Sequence, residues 1–156
     1  MNVFDVSMKQ IRNGLVYLPN ETKPFTGGFV GWYPNGQKKE EVNYIDGKED
    51  GKYTQWYENG TKWIEQYYKD GKKDGNSILW FKNGQKRKES NYIDGKLDGK
   101  YTRWIDNGLK YTGSNYIDGK KTSFIVMRLK KIGINPKKWY FVIFTVVIIF
   151  FLNQIH

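Results

Sequence analysis

GKYTQWYENGTKWIEQYYKDGKKD, running from Gly51 to Asp74, finds itself again 24 residues away in either direction. The Asn-Gly pair inside it returns as Asn35-Gly36, Asn59-Gly60, Asn83-Gly84 and Asn107-Gly108. A Tyr-x-Asp-Gly-Lys string keeps the same step at Tyr44, Tyr68, Tyr92 and Tyr116. An aromatic step completes the frame: Trp32-Tyr33, Trp56-Tyr57, Trp80-Phe81 and Trp104-Ile105. Landmarks that keep one period without slipping mark a repeat array, in which each unit buries surface mainly against its neighbours.

Within a unit, the segments between turns are short and rich in Tyr, Trp, Thr and Ile, which suits strands. No window carries the i, i+3, i+4, i+7 apolar stripe of a helix. Pro34-Asn35-Gly36 fits a type I turn closed by a glycine at positive φ as a bulge. Ile45-Asp46-Gly47 and its copies are expected to repeat that turn at the opposite end. Each unit is then two strands and two turns. Four units and a leading hairpin predict an all-β, elongated, single-layer antiparallel meander of roughly ten strands.

A further glycine at Gly51, Gly75 and Gly99 lies in or beside a strand, where it marks a bulge or the close approach of an aromatic ring. In the second unit Lys52, Thr54 and Trp56 alternate with Tyr53, Gln55 and Tyr57, so both faces carry rings and polar groups. That pattern predicts a sheet wet on both sides and held by cross-strand ladders.

The order along the chain is a lead over 1–11, a capping hairpin over 12–26 and four units over 27–122. A basic linker over 123–138 and a hydrophobic tail over 139–156 follow. Residues 1–11 carry no basic-then-apolar signal pattern. The chain has no cysteine, and its one histidine is His156, which excludes thiol catalysis, disulfides and His-based metal or triad chemistry. No catalytic, cofactor-binding or metal-ligating residue is assigned, no cofactor is expected and the chain is read as no enzyme. Asp46-x-Lys48-x-Asp50-Gly51 superficially resembles a calcium loop, but lysine stands at a ligand position and no glutamate closes the loop. Glu40-Glu41, Glu65 and Glu89 recur beside lysines, as solvated charge ladders do.

The net charge of +10 divides evenly. Residues 1–121 hold 21 Lys/Arg and 16 Asp/Glu, and 122–156 hold 5 basic residues with no acid. Lysines among tyrosines and tryptophans also suit single-stranded nucleic acid or anionic lipid, the alternative partners. The acids in the same units weigh against nucleic acid.

Trp139 to Leu152 is uncharged and, as a short helix of about 21 Å, falls below the roughly 30 Å core of a bilayer. Three interpretations stand: a membrane anchor, a segment docked on a partner, and an out-of-frame tail. Basic residues lie only on its N-terminal side, which would leave the array cytoplasmic if the tail inserts.

The unit WYxNGxKxxExxYxDGKxDGKY resembles the MORN repeat in its variant form, as found in proteins named YwqK-type antitoxins of toxin–antitoxin systems. The segment NGLVYLPNETKPFTG resembles the opening of arrays in that family. The resemblance implies stacked β-hairpins that act in binding, with an antitoxin- or immunity-like protein partner and no catalytic position. Its turn glycines fall on Gly36, Gly47, Gly60, Gly71, Gly84, Gly95, Gly108 and Gly119. The candidate interaction surface is the aromatic frame Trp32, Tyr33, Trp56, Tyr57, Trp80, Phe81 and Trp104.

Overall fold

The computed structural model describes residues 2–123. Twelve strands run in chain order as β1 (Val3–Asp5), β2 (Gln10–Arg12), β3 (Leu15–Tyr17), β4 (Gly27–Trp32), β5 (Lys38–Ile45) and β6 (Lys48–Trp56). They continue as β7 (Lys62–Lys69), β8 (Lys72–Trp80), β9 (Lys86–Ile93), β10 (Lys96–Trp104), β11 (Lys110–Ile117) and β12 (Lys120–Thr122). One ten-stranded sheet has the order β1-β4-β5-β6-β7-β8-β9-β10-β11-β12, and β2 and β3 pair separately. From β4 onward every neighbour is antiparallel, so the expected all-β array of hairpins is the observed one. The tail expected to form a helix and an anchor lies outside the described residues. Within them, no helix is long and apolar enough to cross a membrane.

Both turns of the unit follow from glycine and its neighbour. At the Asn-Gly end, Gly36, Gly60, Gly84 and Gly108 sit at φ of 81 to 85°, and Gly36 N–H donates to the Tyr33 carbonyl at 2.9 Å. That is the type I turn with a glycine bulge. The Asp-Gly end corrects the expectation of a second copy of that turn. Asp46 and Gly47 are both left-handed (φ 48 and 77°), and Ile45 pairs directly with Lys48. This is a two-residue type I′ hairpin, which needs positive φ at both central positions and tolerates aspartate at the first.

The strand glycines are bulges; the Tyr67 side chain packs against Gly75, with its Cβ 3.3 Å and its ring Cγ 3.8 Å from where a Cβ would stand, and no ring approaches Gly51 or Gly99. Gly51, Gly75 and Gly99 have φ of 89, 105 and 112° where the register shifts. A Cβ on Gly51 would meet nothing within 4 Å, so backbone conformation and not crowding calls for glycine there. The aspartate before each bulge serves the next unit: Asp50, Asp74 and Asp98 accept from the N–H groups of Asp70, Asp94 and Asp118. In the opening unit the Thr26 hydroxyl takes this part, accepting from Asp46 N–H at 2.9 Å.

The N-terminus departs from a continuous antiparallel meander. The hairpin is not in the main sheet, and it begins at Gln10, inside the stretch assigned to the lead. β1 occupies the sheet edge instead and pairs in parallel with β4, Gly28 N–H donating to the Asn2 carbonyl at 2.9 Å. The hairpin is drawn off the edge by apolar burial, since Val16, Phe25, Phe29, Val42 and Tyr44 form the one buried cluster among the described residues. A sheet wet on both sides is therefore true of the later units and not of the first. Past the cover, the register row through Phe29, Val42 and Tyr53 continues as Gln66, Ser77 and Ser90. These are small or polar side chains, buried between neighbouring strands without a second layer.

Candidate functional site

Strand alternation places the tryptophans with lysines and glutamates on one face. Trp32, Trp56, Trp80 and Trp104 pair across their strands with Lys38, Lys62, Lys86 and Lys110. Successive tryptophans stand two strands apart, about 9.6 Å from the usual strand spacing. Lys38 Nζ lies between two of them, 6.0 Å from Trp32 and 5.4 Å from Trp56, and Lys62 Nζ lies 5.8 Å from Trp80. Each of these lysines also bonds a glutamate three residues on: Lys38 to Glu41 at 3.2 Å, Lys62 to Glu65 at 2.7 Å and Lys86 to Glu89 at 3.1 Å. Lys52 adds a second cation on Glu65 at 2.9 Å. Burial pushes the Glu65 carboxyl up, but the hydrogen bonds from Lys62 and Lys52 outweigh it and hold the group below its ordinary value. The face is an internally neutralised lattice of cation–π contacts and ion pairs. In the fourth unit Gly113 stands where the others have glutamate, and the lattice ends there.

The opposite face carries a tyrosine ladder. Tyr53 meets Tyr68 edge-on at 6.2 Å, and Tyr101 meets Tyr116 at 5.7 Å. Burial raises the Tyr68 hydroxyl to about 12 and Tyr44 and Tyr53 higher still, so these three stay uncharged across ordinary pH. Glu49, half-buried beside it, is also raised by burial, against the partial relief of Lys9 and Lys73. A carboxyl raised in the folded state binds its proton more tightly there than in the unfolded chain. Stability from this group is therefore present at acid pH and is lost as pH rises from about 4.5 through the folded value. Glu49→Gln is expected to raise the urea midpoint at pH 7 and to leave it little changed at pH 4.

Tyr33, Tyr57 and Phe81 follow the tryptophans and tie one unit to the next. The Tyr33 hydroxyl donates to the Trp56 carbonyl at 2.8 Å, and Tyr57 donates to the Trp80 carbonyl at 2.9 Å. Asn35, Asn59 and Asn83 run a parallel ladder, donating to the carbonyls of Glu58, Lys82 and Asp106. Phe81 has no hydroxyl to give the Trp104 carbonyl, so the tyrosine ladder stops after two rungs. Phe81→Tyr is expected to stabilise the array by about 0.5–1.5 kcal/mol and Tyr57→Phe to destabilise it by a similar amount. Paired urea titrations measure both, and equal midpoints for all three proteins would deny the ladder any weight.

Of the seven aromatic candidates, only Trp32 is exposed; the others are half-buried between units. Other exposed rings and aliphatics include Trp63 in the second unit and Ile105, Leu109 and Tyr111 in the fourth, all toward the Asn-Gly end, while Ile45, Tyr67 and Ile93 are exposed toward the Asp-Gly end. Sequence reasoning passed over this set. Its signal is variation: the 24-residue position that holds Trp63 holds Lys39, Arg87 and Tyr111 in the other units. Trp63 leans on Tyr57 at 6.0 Å, and Arg87 takes the same place over Phe81. Among the described residues, no cluster of three His, Asp or Glu side chains could hold a metal ion.

These hairpins, turns and ladders recur in step through residues 27–46, 49–70 and 73–94, and each of the three stretches matches the family model of the MORN repeat variant. These three stretches are similar to the MORN repeat variant. The fourth unit, with its missing glutamate and missing Asp-Gly bulge, lies outside the matched stretches although it continues the same sheet. MORN repeats commonly act as protein- or membrane-interaction modules. No curated protein matches the chain.

Proposed function

We propose that the repeat array is a non-catalytic platform for another protein, with an antitoxin- or immunity-like role, held at a membrane by residues 139–152. The observation that carries the docking part is the exposed set Trp63, Ile105, Leu109 and Tyr111 on one end of the units, which no described element covers. Ile105, Leu109 and Tyr111 lie together on the fourth unit, and exposed apolar side chains grouped among polar ones are characteristic of interfaces. The neutralised tryptophan face favours a protein over a nucleic acid, because its lysines already have glutamates. The immunity-like role rests on resemblance, and a toxin-like reading frame beside this gene would support it.

Docking is tested by cross-linking the full chain in cells and comparing it with Leu109→Ser/Tyr111→Ser. The wild type is expected to yield one defined adduct that the variant loses. An adduct that survives the variant, or none at all, refutes docking at this surface.

Anchoring has its own test. The full chain is expected to pellet with membranes and to resist high salt, since apolar burial is not screened as lipid electrostatics are. Val147→Arg places a charge mid-stretch and is expected to cost roughly 2.5–3.5 kcal/mol of insertion. Unchanged pelleting of Val147→Arg would rule out the anchor.

A further inference from the structure

We propose that the cleft between the third and fourth units reads the carboxylates of an acidic segment on the protein partner. The cleft measures about 430 Å³ and is lined in part by Phe81, Arg87, Arg103, Ile105, Asp106 and Tyr111. Both arginines are exposed. Arg87 lies over the Phe81 ring at 5.7 Å, and Arg103 lies over Tyr111 at 5.9 Å. Neither makes an ion pair among the described residues, and Asp106, although it shares the lining, does not neutralise either one. Two guanidinium groups steadied on rings present planar donor forks that suit the two oxygens of a carboxylate.

The arrangement is confined to this one junction. The positions of Arg87 and Arg103 are held by Trp63 and Leu79 one unit earlier. A cleft of about 360 Å³ one unit earlier, which shares the Tyr57 and Lys82 positions, is lined by Tyr57, Glu58, Asn59 and Lys82 and has no arginine. Phe81, where the earlier units have hydroxyl-bearing tyrosines, leaves this third junction without the rung that spans the other two.

An acidic peptide suits the site better than a continuous polyanion. Asp106 within the lining would repel an unbroken run of phosphates, whereas isolated carboxylates can settle on the arginines between it and the rings. Exposed Ile105, Leu109 and Tyr111 offer apolar seats beside those carboxylates. Arginine and aromatic side chains together are the usual energetic centres of protein interfaces.

The inference rests on the docking function proposed above, and its test stands apart from the cross-linking experiment. The full chain is titrated with a fluorescein-labelled synthetic peptide of alternating glutamate and leucine. Parallel titrations use its glutamine counterpart, an oligothymidylate and phosphatidylcholine vesicles with and without phosphatidylserine. The acidic peptide is expected to bind at least about tenfold more tightly than the glutamine version. Arg87→Gln and Arg103→Gln are each expected to weaken it at least about fivefold, and Arg103→Lys to weaken it too because lysine lacks the fork. Lys39→Gln, at the same position of the first unit, should leave it unchanged, with thermal melts showing every variant folded. An equal loss in Lys39→Gln, no peptide binding, or tighter arginine-dependent binding of the oligonucleotide or the phosphatidylserine vesicles overturns the proposal. Such a failure would leave a cross-linked adduct lost with Leu109→Ser/Tyr111→Ser still standing, so the two ideas fail separately.

Discussion

Phe29→Ala is expected to destabilise the protein by about 3–5 kcal/mol, the largest loss from any single truncation in the array. Phe29 is fully buried, and its ring meets Phe25 at 4.5 Å, Tyr44 at 5.8 Å and Phe4 at 6.5 Å. Three of those rings come from different segments: the N-terminal strand, the loop before the first unit and the second strand of that unit. Truncating Phe29 therefore opens a cavity that backbone shifts cannot close without unpairing β1 or lifting the hairpin. The same truncation in a later unit removes far less, since the matching positions Tyr53 and Tyr101 are only half-buried and Ser77 is already small. Urea unfolding gives the magnitude and hydrogen exchange the location, with protection expected to fall in β4 and β5 before β8 and β9. Nearest-neighbour coupling in an array predicts that gradient. A loss under about 1 kcal/mol would mean that the N-terminal cover contributes little to folding.

Gly47→Ala is expected to be the second costliest change, and Gly119→Ala is its internal control. Both glycines sit at φ of 77° in the same type I′ turn, so a Cβ carries the same backbone penalty of about 1–2 kcal/mol at each. Their surroundings differ. A Cβ on Gly47 would lie 3.0 Å from the Leu15 Cβ, the Pro24 Cβ and the Val16 backbone nitrogen, whereas on Gly119 the nearest atom is the Lys96 Cβ at 3.8 Å. Two of the three contacts at Gly47 are carbons fixed to the backbone and the third is the backbone itself, so none can swing away. The close approach is pinned further by Val16 N–H donating to the Gly47 carbonyl at 2.9 Å and by Gly47 N–H donating to the Phe25 carbonyl at 2.8 Å. Overpacking adds about 1–3 kcal/mol at Gly47 alone. Equal urea midpoints for the two variants would show that the hairpin yields freely and that its contact with the turn is loose.

Gly47 and Gly119 occupy equivalent places in the repeat, yet one is crowded and the other open. Nothing in Tyr-Ile-Asp-Gly-Lys distinguishes them. The candidate surface diverges from expectation for a similar reason. Trp56 and Tyr57 look like an exposed aromatic pair along the chain. In the fold, lysine Lys38 lies over the first, and the second gives its hydroxyl to the neighbouring unit. Arg87 and Arg103 are sixteen residues apart and belong to different units, and their meeting in one cleft is invisible until β8 to β11 are laid side by side.

What the residue order settles here is everything of short range. The 24-residue period, the strands, the glycine bulges and the tight turns each depend on φ preferences and pairing within a few residues, and those preferences are written locally. What waited for the assembled chain is everything that depends on a covering layer. The N-terminal segment has two ways to satisfy its backbone, at the sheet edge or against the sheet face, and both are open to a short run such as Leu15-Val16-Tyr17. Packing chooses between them. Phe25, Phe29, Val42 and Tyr44 can leave water only if the hairpin lies over the face, so it goes there and β1 closes the edge in its place. Burial depends on which surfaces meet across the sheet, and that is a property of the assembled fold and not of any window of the chain.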